Sequence, residues 1–382
     1  MIDRGPVRTI DDSMPGSDPP FDPARFLNVQ ELAELAERRI PKVAWDYYRS
    51  GSWGEHTLRW NVEAWERLRI RHRVLVDVAR RDLRTRLFGS ELAFPLLAAP
   101  TALQKMAHPD GEAATARACA AAGIPMVLSN LASMTVEEVR AAAGNATTWM
   151  QIYIGQDRGF TRELAERARV AGCAALVLTV DTPRWGTRER DIHNGFRVPD
   201  GIEVANLARP GRDGPTGHAG RGIAEALGWT IDASLTWKDL AWLAAETPLP
   251  VLVKGVCRAD DALRAIDHGA RGIVVSNHGG RQLDGAPPTA ESLPEVAAAV
   301  KGRVPTIVDG GIRRGVDLLR ALALGADAAA IGRPILWGLG AGGEAGVART
   351  LELLREEFDL ALALAGCRSV AEVTGDLVAP PR

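Results

Sequence analysis

Four stretches in the second half of the chain decide the fold: VLVKGV at 251–256, GIVVSNHGGRQLD at 272–284, TIVDGGIRR at 306–314 and AAAIGRP at 328–334. Each opens with an apolar run of strand length, closes on polar residues or glycine, and leads into a stretch with helical periodicity. The same plan continues upstream in FPLLAAP at 94–100, PMVLSN at 125–130, TWMQIY at 148–153 and ALVLTVD at 175–181. Together they predict eight strands, starting at Leu96, Met126, Trp149, Ala175, Val251, Gly272, Thr306 and Ala328, each followed by a helix. Strict alternation of strand and helix predicts an α/β fold with a parallel sheet, and eight units predict a closed (β/α)8 TIM barrel over about 74–370.

The 382 residues are 46% apolar, enough for one barrel with a modest extension and no second full domain. A formal charge of −2 drawn from many charges of both signs leaves no broad field for nucleic acid or an anionic membrane. Cys119, Cys173, Cys257 and Cys367 form no CxxC pair and the histidines show no ligand spacing, so no metal site is expected. The cysteines read as small buried hydrophobes in a reducing, cytoplasmic setting. Pro95, Pro100, Gln104 and Lys105 interrupt the most apolar stretch, so no membrane span is expected.

Residues 1–25, rich in Pro, Asp and Gly, predict a disordered arm. Two short helices are expected in a 26–73 extension, one ending before Pro41 and one before Gly51, and a tail is expected at 371–382. The longest irregular connection, 182–234, contains RPGRDGPTGHAGRG and fits a mobile lid or a plain surface insertion equally well. Thr236 then reads as an N-cap with Asp239 three residues on.

In such barrels the chemistry sits at the C-terminal ends of the strands. Thr101, Gln151, Tyr153, Asp181, Lys254, Asn277, His278, Asp309 and Arg333 are therefore expected to converge on one mouth. The turns Asp309-Gly310-Gly311-Ile312-Arg313-Arg314 and Gly332-Arg333 suggest a phosphate site, because glycine lets backbone N–H groups approach the anion and Arg313 or Arg333 neutralises it. That signal suits FMN and a phosphorylated substrate alike. In a flavin site Lys254 would stabilise negative charge developing near N1 and the C2 carbonyl, while Gln151 and Thr179 would bond the flavin edge.

His278 and Arg281 place a proton acceptor beside an anion receptor. Histidine can take a hydroxyl proton as hydride leaves the substrate α-carbon for flavin N5, and arginine can grip a carboxylate through two prongs. Asp181 would orient the imidazole, Arg188 offers a second carboxylate contact, and Tyr47 and Tyr153 offer phenolic hydroxyls if the N-terminal helices fold over the mouth. Tyr48, adjacent to Tyr47 on a helix, points elsewhere and reads as packing.

At these residues the chain resembles the FMN-dependent α-hydroxy acid oxidase and dehydrogenase family. The resemblance runs from about Asn28 to Ser369 through PKVAWDYYRSG, APTALQKMAHPDGE, LTVDTPRWGTRERD, LVKGV, VSNHGGRQLDG, DGGIRRG, ALGADAAAIGRP and AGCRS. It implies FMN contacts from Pro100, Thr101, Ala102, Ser129, Gln151, Thr179, Lys254, Ser276, Asp309, Gly310, Gly311, Arg313, Gly332 and Arg333. It implies substrate roles for Tyr47, Tyr153, Arg188, His278 and Arg281, oxidation of a 2-hydroxy acid of L configuration, and a homotetramer or homo-octamer.

Two departures bear on the substrate. Leu131 stands where glycolate oxidase-like members carry a Trp, and Trp185 stands where a smaller aliphatic is usual. The expected substrate is therefore a larger aliphatic or aromatic 2-hydroxy acid. Ala102 is compatible with an oxidase that passes electrons to O2 and releases hydrogen peroxide; a quinone- or cytochrome-linked dehydrogenase, or a lactate 2-monooxygenase-like enzyme, would share the same residues. An FMN-dependent isomerase would share the phosphate turns without needing His278 and Arg281, and a non-enzymatic scaffold would need neither.

Overall fold

The structure, a computed structural model, describes residues 20–207 and 231–379. Eight parallel strands close into a barrel: β1 Leu96–Ala98, β2 Met126–Leu128, β3 Thr148–Ile152, β4 Leu176–Thr179, β5 Val251–Val256, β6 Gly272–Val275, β7 Thr306–Asp309 and β8 Ala328–Ile331. Neighbours in sequence are neighbours in the sheet, and β8 closes on β1 with Ala330 opposite Leu97. The expected barrel is thus present; β3 begins one residue before the expected Trp149 and β4 one after Ala175.

Pro95, Pro125, Pro250 and Pro305 stand immediately before β1, β2, β5 and β7. Proline holds the chain extended but cannot donate to the ladder, which suits the first position of a strand. Each proline carbonyl still accepts from a neighbouring strand, from the N–H groups of Ala329, Ala98, Leu176 and Ile273 respectively, at 2.9–3.0 Å.

Alternation along the strands splits the core in two. Leu97, Val127, Trp149, Val177, Leu252, Val274 and Ile307 point into the barrel. Leu96, Met126, Met150, Leu176, Val253, Ile273 and Val308 face the surrounding helices. A hairpin, Thr85–Leu87 paired with Ser90–Leu92, closes the N-terminal end by adding Leu87 and Leu92 to the inner cluster. The Phe88 ring at its tip meets the Trp149 indole edge-on, with centroids 5.5 Å apart.

Helices α1 Val29–Arg39, α2 Lys42–Arg49 and α3 His56–Arg67 precede the barrel. The barrel helices are α4 Gly111–Ala122, α5 Val136–Ala143, α6 Arg158–Val170, α8 Trp237–Glu246, α9 Ala259–Asp267, α10 Thr289–Val300, α11 Gly315–Ala323 and α12 Arg333–Ala365, with a short α7, Glu189–His193, between β4 and α8. The expected Thr236 cap opens α8 in a reciprocal capping box with Asp239. Ahead of the barrel the described residues form three α-helices rather than the expected two. The face that α3 buries carries Thr57 and Asn61 beside Ala64 and Trp65, so apolar periodicity could not mark it.

The expected tail folds back: Val378–Ala379 pairs antiparallel with Arg69–Ile70. Residues 1–19 of the expected arm and 208–230 of the expected lid, including all of RPGRDGPTGHAGRG, lie outside the described residues. The first part of that connection is anchored, because Asn206 accepts from Val136 N–H at 2.9 Å and donates to the Met134 carbonyl at 3.1 Å. Of the four cysteines Cys257 alone is half-buried, its thiol donating to the Ser276 carbonyl at 3.1 Å. Among the described residues no helix is long and apolar enough to cross a membrane.

Trp149 fills the barrel floor at 1% exposure, so Trp149→Ala should cost about 3–5 kcal/mol through lost burial and a residual cavity. A lowered thermal midpoint with the far-ultraviolet spectrum retained is the expected outcome, and an unchanged midpoint would contradict this role.

Candidate active site

The inner alternation does not stop where the apolar core ends. Two-residue steps carry Leu97 to Ala99 and Thr101, Val127 to Ser129 and Leu131, Trp149 to Gln151 and Tyr153, and Val177 to Thr179 and Asp181. They likewise carry Leu252 to Lys254, Val274 to Ser276 and His278, Ile307 to Asp309, and Ala328 to Ala330 and Gly332. Of these upper residues all but Asp181 and Ser276 line one cleft, with an empty volume of about 960 Å³ including its mouth. Pro100, Ala102, Gly310, Gly311, Arg313 and Arg333 line it too, as do Tyr47, Arg188, Arg281 and Trp185.

Asp181 and Ser276 sit one layer behind the cleft wall. The Ser276 hydroxyl accepts from Lys254 Nζ at 2.9 Å and donates to Asp309 Oδ1 at 2.6 Å, while Lys254 lies 3.4 Å from the other Asp309 oxygen. Loss of hydration works against the Lys254 charge, yet Asp309 and Asp181 outweigh it and hold its pKa above the ordinary value. Lys254 therefore presents a fixed positive charge to the cleft. Gln151 Oε1 accepts from the Ser129 hydroxyl and Asn130 N–H, at 3.2 and 3.3 Å, whereas its Nε2 is buried with no protein partner.

His278 Nδ1 lies 2.8 Å from Asp181 Oδ1. Burial pushes the Asp181 carboxyl up, but His278, Lys254 and the Thr182 hydroxyl together bring it below its usual range. An ionised Asp181 can only accept, so Nδ1 donates and Nε2 keeps its lone pair. Burial, reinforced by Lys254 and Arg281 and opposed by Asp181, lowers the His278 pKa and favours the neutral imidazole. Tyr153 is pushed far up by burial and by Asp181, so its hydroxyl stays protonated.

The cleft arginines Arg281 and Arg333 are held by α2 and its neighbours. Arg281 donates to the carbonyls of Tyr47 and Ser50 at 2.8 and 2.7 Å, and Arg333 donates to those of Tyr48, Ser50 and Gly279 at 3.0 Å each. Arg188 and Arg281 both lie over the Tyr47 ring, 5.2 and 5.1 Å from its centroid. Tyr48 turns away and donates to the Leu103 carbonyl at 2.6 Å, although its side chain still borders the cleft.

Among the described residues neither Arg313 nor Arg333 forms an ion pair with a carboxylate. Arg313 instead rests 4.7 Å over the Trp337 ring and is pushed down to about 10 by loss of hydration. Arg333 is lowered by the same loss and by Arg281 and Arg313 nearby. Crowded cations with no carboxylate in direct contact are relieved by a bound anion. Beside them the Gly310–Gly311 turn runs at φ of 101 and 83°, and a Cβ on Gly311 would run into the Asn61 carbonyl. Cations, glycine turn, Lys254 and the unpartnered Gln151 amide together fit FMN: Arg313 and Arg333 would hold its phosphate, and Gln151 and Lys254 would meet its ring edge.

One expected mouth residue is elsewhere: Asn277 turns away from the barrel axis and bonds Asn61 of α3 at 2.8 and 2.9 Å. Alternation explains the correction, since Ser276 and His278 take the inward steps on either side. Sequence reasoning missed Leu336, which lines the cleft, and Trp65, whose Nε1 donates to the Gly310 carbonyl at 2.7 Å. Neither carries a signal in a single sequence, because both are apolar residues on helices.

Residues 36–380 match the family described as FMN-dependent dehydrogenase. Glycolate oxidase 3 of Arabidopsis thaliana is 48% identical over 91% of this chain and 94% of its own length. The L-lactate oxidase of Nostoc sp. is 47% identical over 91% of this chain and 96% of its own. A solved mandelate oxidase superposes with a TM-score of 0.85 at 40% identity, covering 93% of this chain and 98% of that one. A point mutant of an active (S)-mandelate dehydrogenase chimera gives 0.86 at 38% identity, covering 92% of this chain and 99% of that one. With identity this high over nearly the whole length, the chain belongs to the FMN-dependent dehydrogenase family, and its cofactor is FMN.

Proposed function

We propose that this protein oxidises an L-2-hydroxy acid to the 2-oxo acid, with dioxygen as the electron acceptor and hydrogen peroxide as the second product. The observation that carries this reading is His278, bonded through Nδ1 to Asp181 and standing in one cleft with Arg281 and Arg188, where burial lowers its pKa. FMN, when bound, would supply a two-electron acceptor. The protein supplies the rest. Arg281 and Arg188 bind the substrate carboxylate, and Tyr47 and Tyr153 donate to its oxygens. His278 Nε2 then removes the hydroxyl proton as the α-carbon gives up its hydrogen with two electrons, and Asp181 stabilises the imidazolium that results. Lys254 stabilises the negative charge that develops across the cleft.

Leu131 and Trp185 support a substrate larger than glycolate. Both line the cleft, and Trp185 meets Tyr153 edge-on at 5.9 Å, forming an apolar wall beside the carboxylate cations. Relatives named as oxidases of glycolate, L-lactate and mandelate support the dioxygen acceptor and span the substrate sizes in question.

Anaerobic stopped-flow absorbance with a panel of L- and D-2-hydroxy acids tests the reading. Bleaching is expected with L acids, with kcat/KM highest for a larger aliphatic or aromatic side chain, and colour should return rapidly in oxygen with peroxide formed. Bleaching without rapid return would instead mark a dehydrogenase, and no bleaching with any acid would overturn the reaction.

Asp181→Asn removes the carboxylate that raises the His278 pKa while leaving the lowering effects of burial, Lys254 and Arg281. A base acts when unprotonated, so the acid limb of kcat/KM should move to lower pH while the plateau falls by roughly 10²–10⁴. A limb moving to higher pH would contradict the assignment.

A further inference from the structure

Helix α3 lies outside the barrel, yet one face carries Thr57, Asn61 and Trp65, four residues apart and buried to 0, 1 and 1% exposure. Each grips a different part of the cleft rim. Thr57 N–H donates to Asp284 Oδ1 at 2.8 Å, and its hydroxyl donates to the Ala286 carbonyl at 3.1 Å while accepting from Gly285 N–H at 2.9 Å. Trp65 holds the Gly310 carbonyl. Between them Asn61 and Asn277 exchange two amide hydrogen bonds, Asn61 Nδ2 to Asn277 Oδ1 at 2.9 Å and Asn277 Nδ2 to Asn61 Oδ1 at 2.8 Å.

Three further bonds fix the two amides. Asn277 Nδ2 donates to the Pro287 carbonyl at 3.0 Å, Asn277 Oδ1 accepts from Gly280 N–H at 3.2 Å, and Asn61 Oδ1 accepts from Thr289 N–H at 3.2 Å. Flipping either amide would set donor against donor and acceptor against acceptor, so the pair has one orientation.

The turn next to Asn277 needs such a clamp. His278, Gly279 and Gly280 run consecutively in the left-handed region, at φ of 58, 63 and 74°. For histidine that conformation is uncommon and is sustained only by its surroundings. The turn also lies directly on α3: a Cβ on Gly280 would fall 2.6 Å from the Leu58 nitrogen.

We propose that Asn61 is a positioning residue, which through its reciprocal amide pair with Asn277 holds the left-handed His278–Gly280 turn and so keeps the His278 imidazole aligned on Asp181. This rests on the reading of His278 as the base. The same helix face sets the turn at Gly310, so a helix outside the barrel fixes the spacing between the base and the phosphate-binding end of the cleft. No sequence motif on the strands contains that information.

The test uses the holoenzyme variants Asn61→Asp and Asn61→Ala, with His278→Ala as reference. Asn61→Asp turns a donor into an acceptor facing Asn277 Oδ1, and Asn61→Ala removes both bonds. The rate of anaerobic flavin reduction per bound FMN should fall roughly tenfold to a hundredfold, as expected when a reacting group is displaced by a fraction of an ångström to an ångström. In Asn61→Ala, which adds no charge, the acid limb of that rate should move to lower pH, because a loosened Asp181 contact raises the His278 pKa less while Lys254 and Arg281 still lower it. Asn61→Ala combined with Asn277→Ala should cost little more than either alone.

Unchanged reduction rates and acid limbs in the Asn61 variants, whatever their thermal midpoints, would overturn the positioning role while a strong loss in His278→Ala leaves the base assignment standing. An unaltered rate in His278→Ala would overturn the base itself. Should Asn61→Asp fail to fold, Asn61→Ser, which also loses the reciprocal pair, carries the same expectations.

Discussion

The pleat of each strand sends one side chain into the barrel and the next to the helices, and this alternation is the constraint on which the whole molecule depends. Because the strands run parallel in one closed sheet, all eight deliver their inward residues in the same sense: apolar at the floor and, on every strand but β8, a polar residue above. A strand slipped by one position would exchange its inner and outer sets along its entire length. The apolar floor of Leu97, Trp149, Leu252 and Ile307 therefore carries the stability and also sets the register on which Thr101, Gln151, Lys254 and Asp309 reach the cleft.

Buried charge is the cost of that arrangement. The Lys254, Ser276 and Asp309 chain is internally compensated, and Asp181 is held by its hydrogen bond to His278. The arginines are not. Arg281, Arg313 and Arg333 share carbonyl oxygens and a ring face in place of carboxylates, and loss of hydration lowers all three. A protein selected for stability alone would pair or remove them. Left as they are, they give the cleft a surplus of positive charge that suits anionic groups.

The N-terminal helices are part of this machinery. The carbonyl-rich end of α2 receives both Arg281 and Arg333, so Tyr47, Tyr48 and the capping Ser50 orient the cations that face the cleft. Helix α3 does the same for the loops after β6 and β7. The barrel contributes the directions of the side chains, and the extension contributes the distances between the loops.

Much of this was written in the one-dimensional pattern. Apolar runs closing on SNHGG, DGG and IGRP announced a parallel barrel and named His278, Arg281, Lys254 and the glycine turns, because strand periodicity and turn chemistry are local properties of the chain. Helix α3 was illegible, since its buried face bears Thr57 and Asn61 and so lacks the apolar stripe by which helices are recognised. Asn277, counted among the mouth residues, faces α3, because which side of a strand end points inward depends on the register of its neighbours. The sequence by itself determined the architecture and the kinds of chemical group at its mouth. Only the tertiary structure decided which of those groups meet, because contacts between Asn61 and Asn277, or between Arg333 and the end of α2, join segments more than two hundred residues apart and are chosen by packing rather than by local preference.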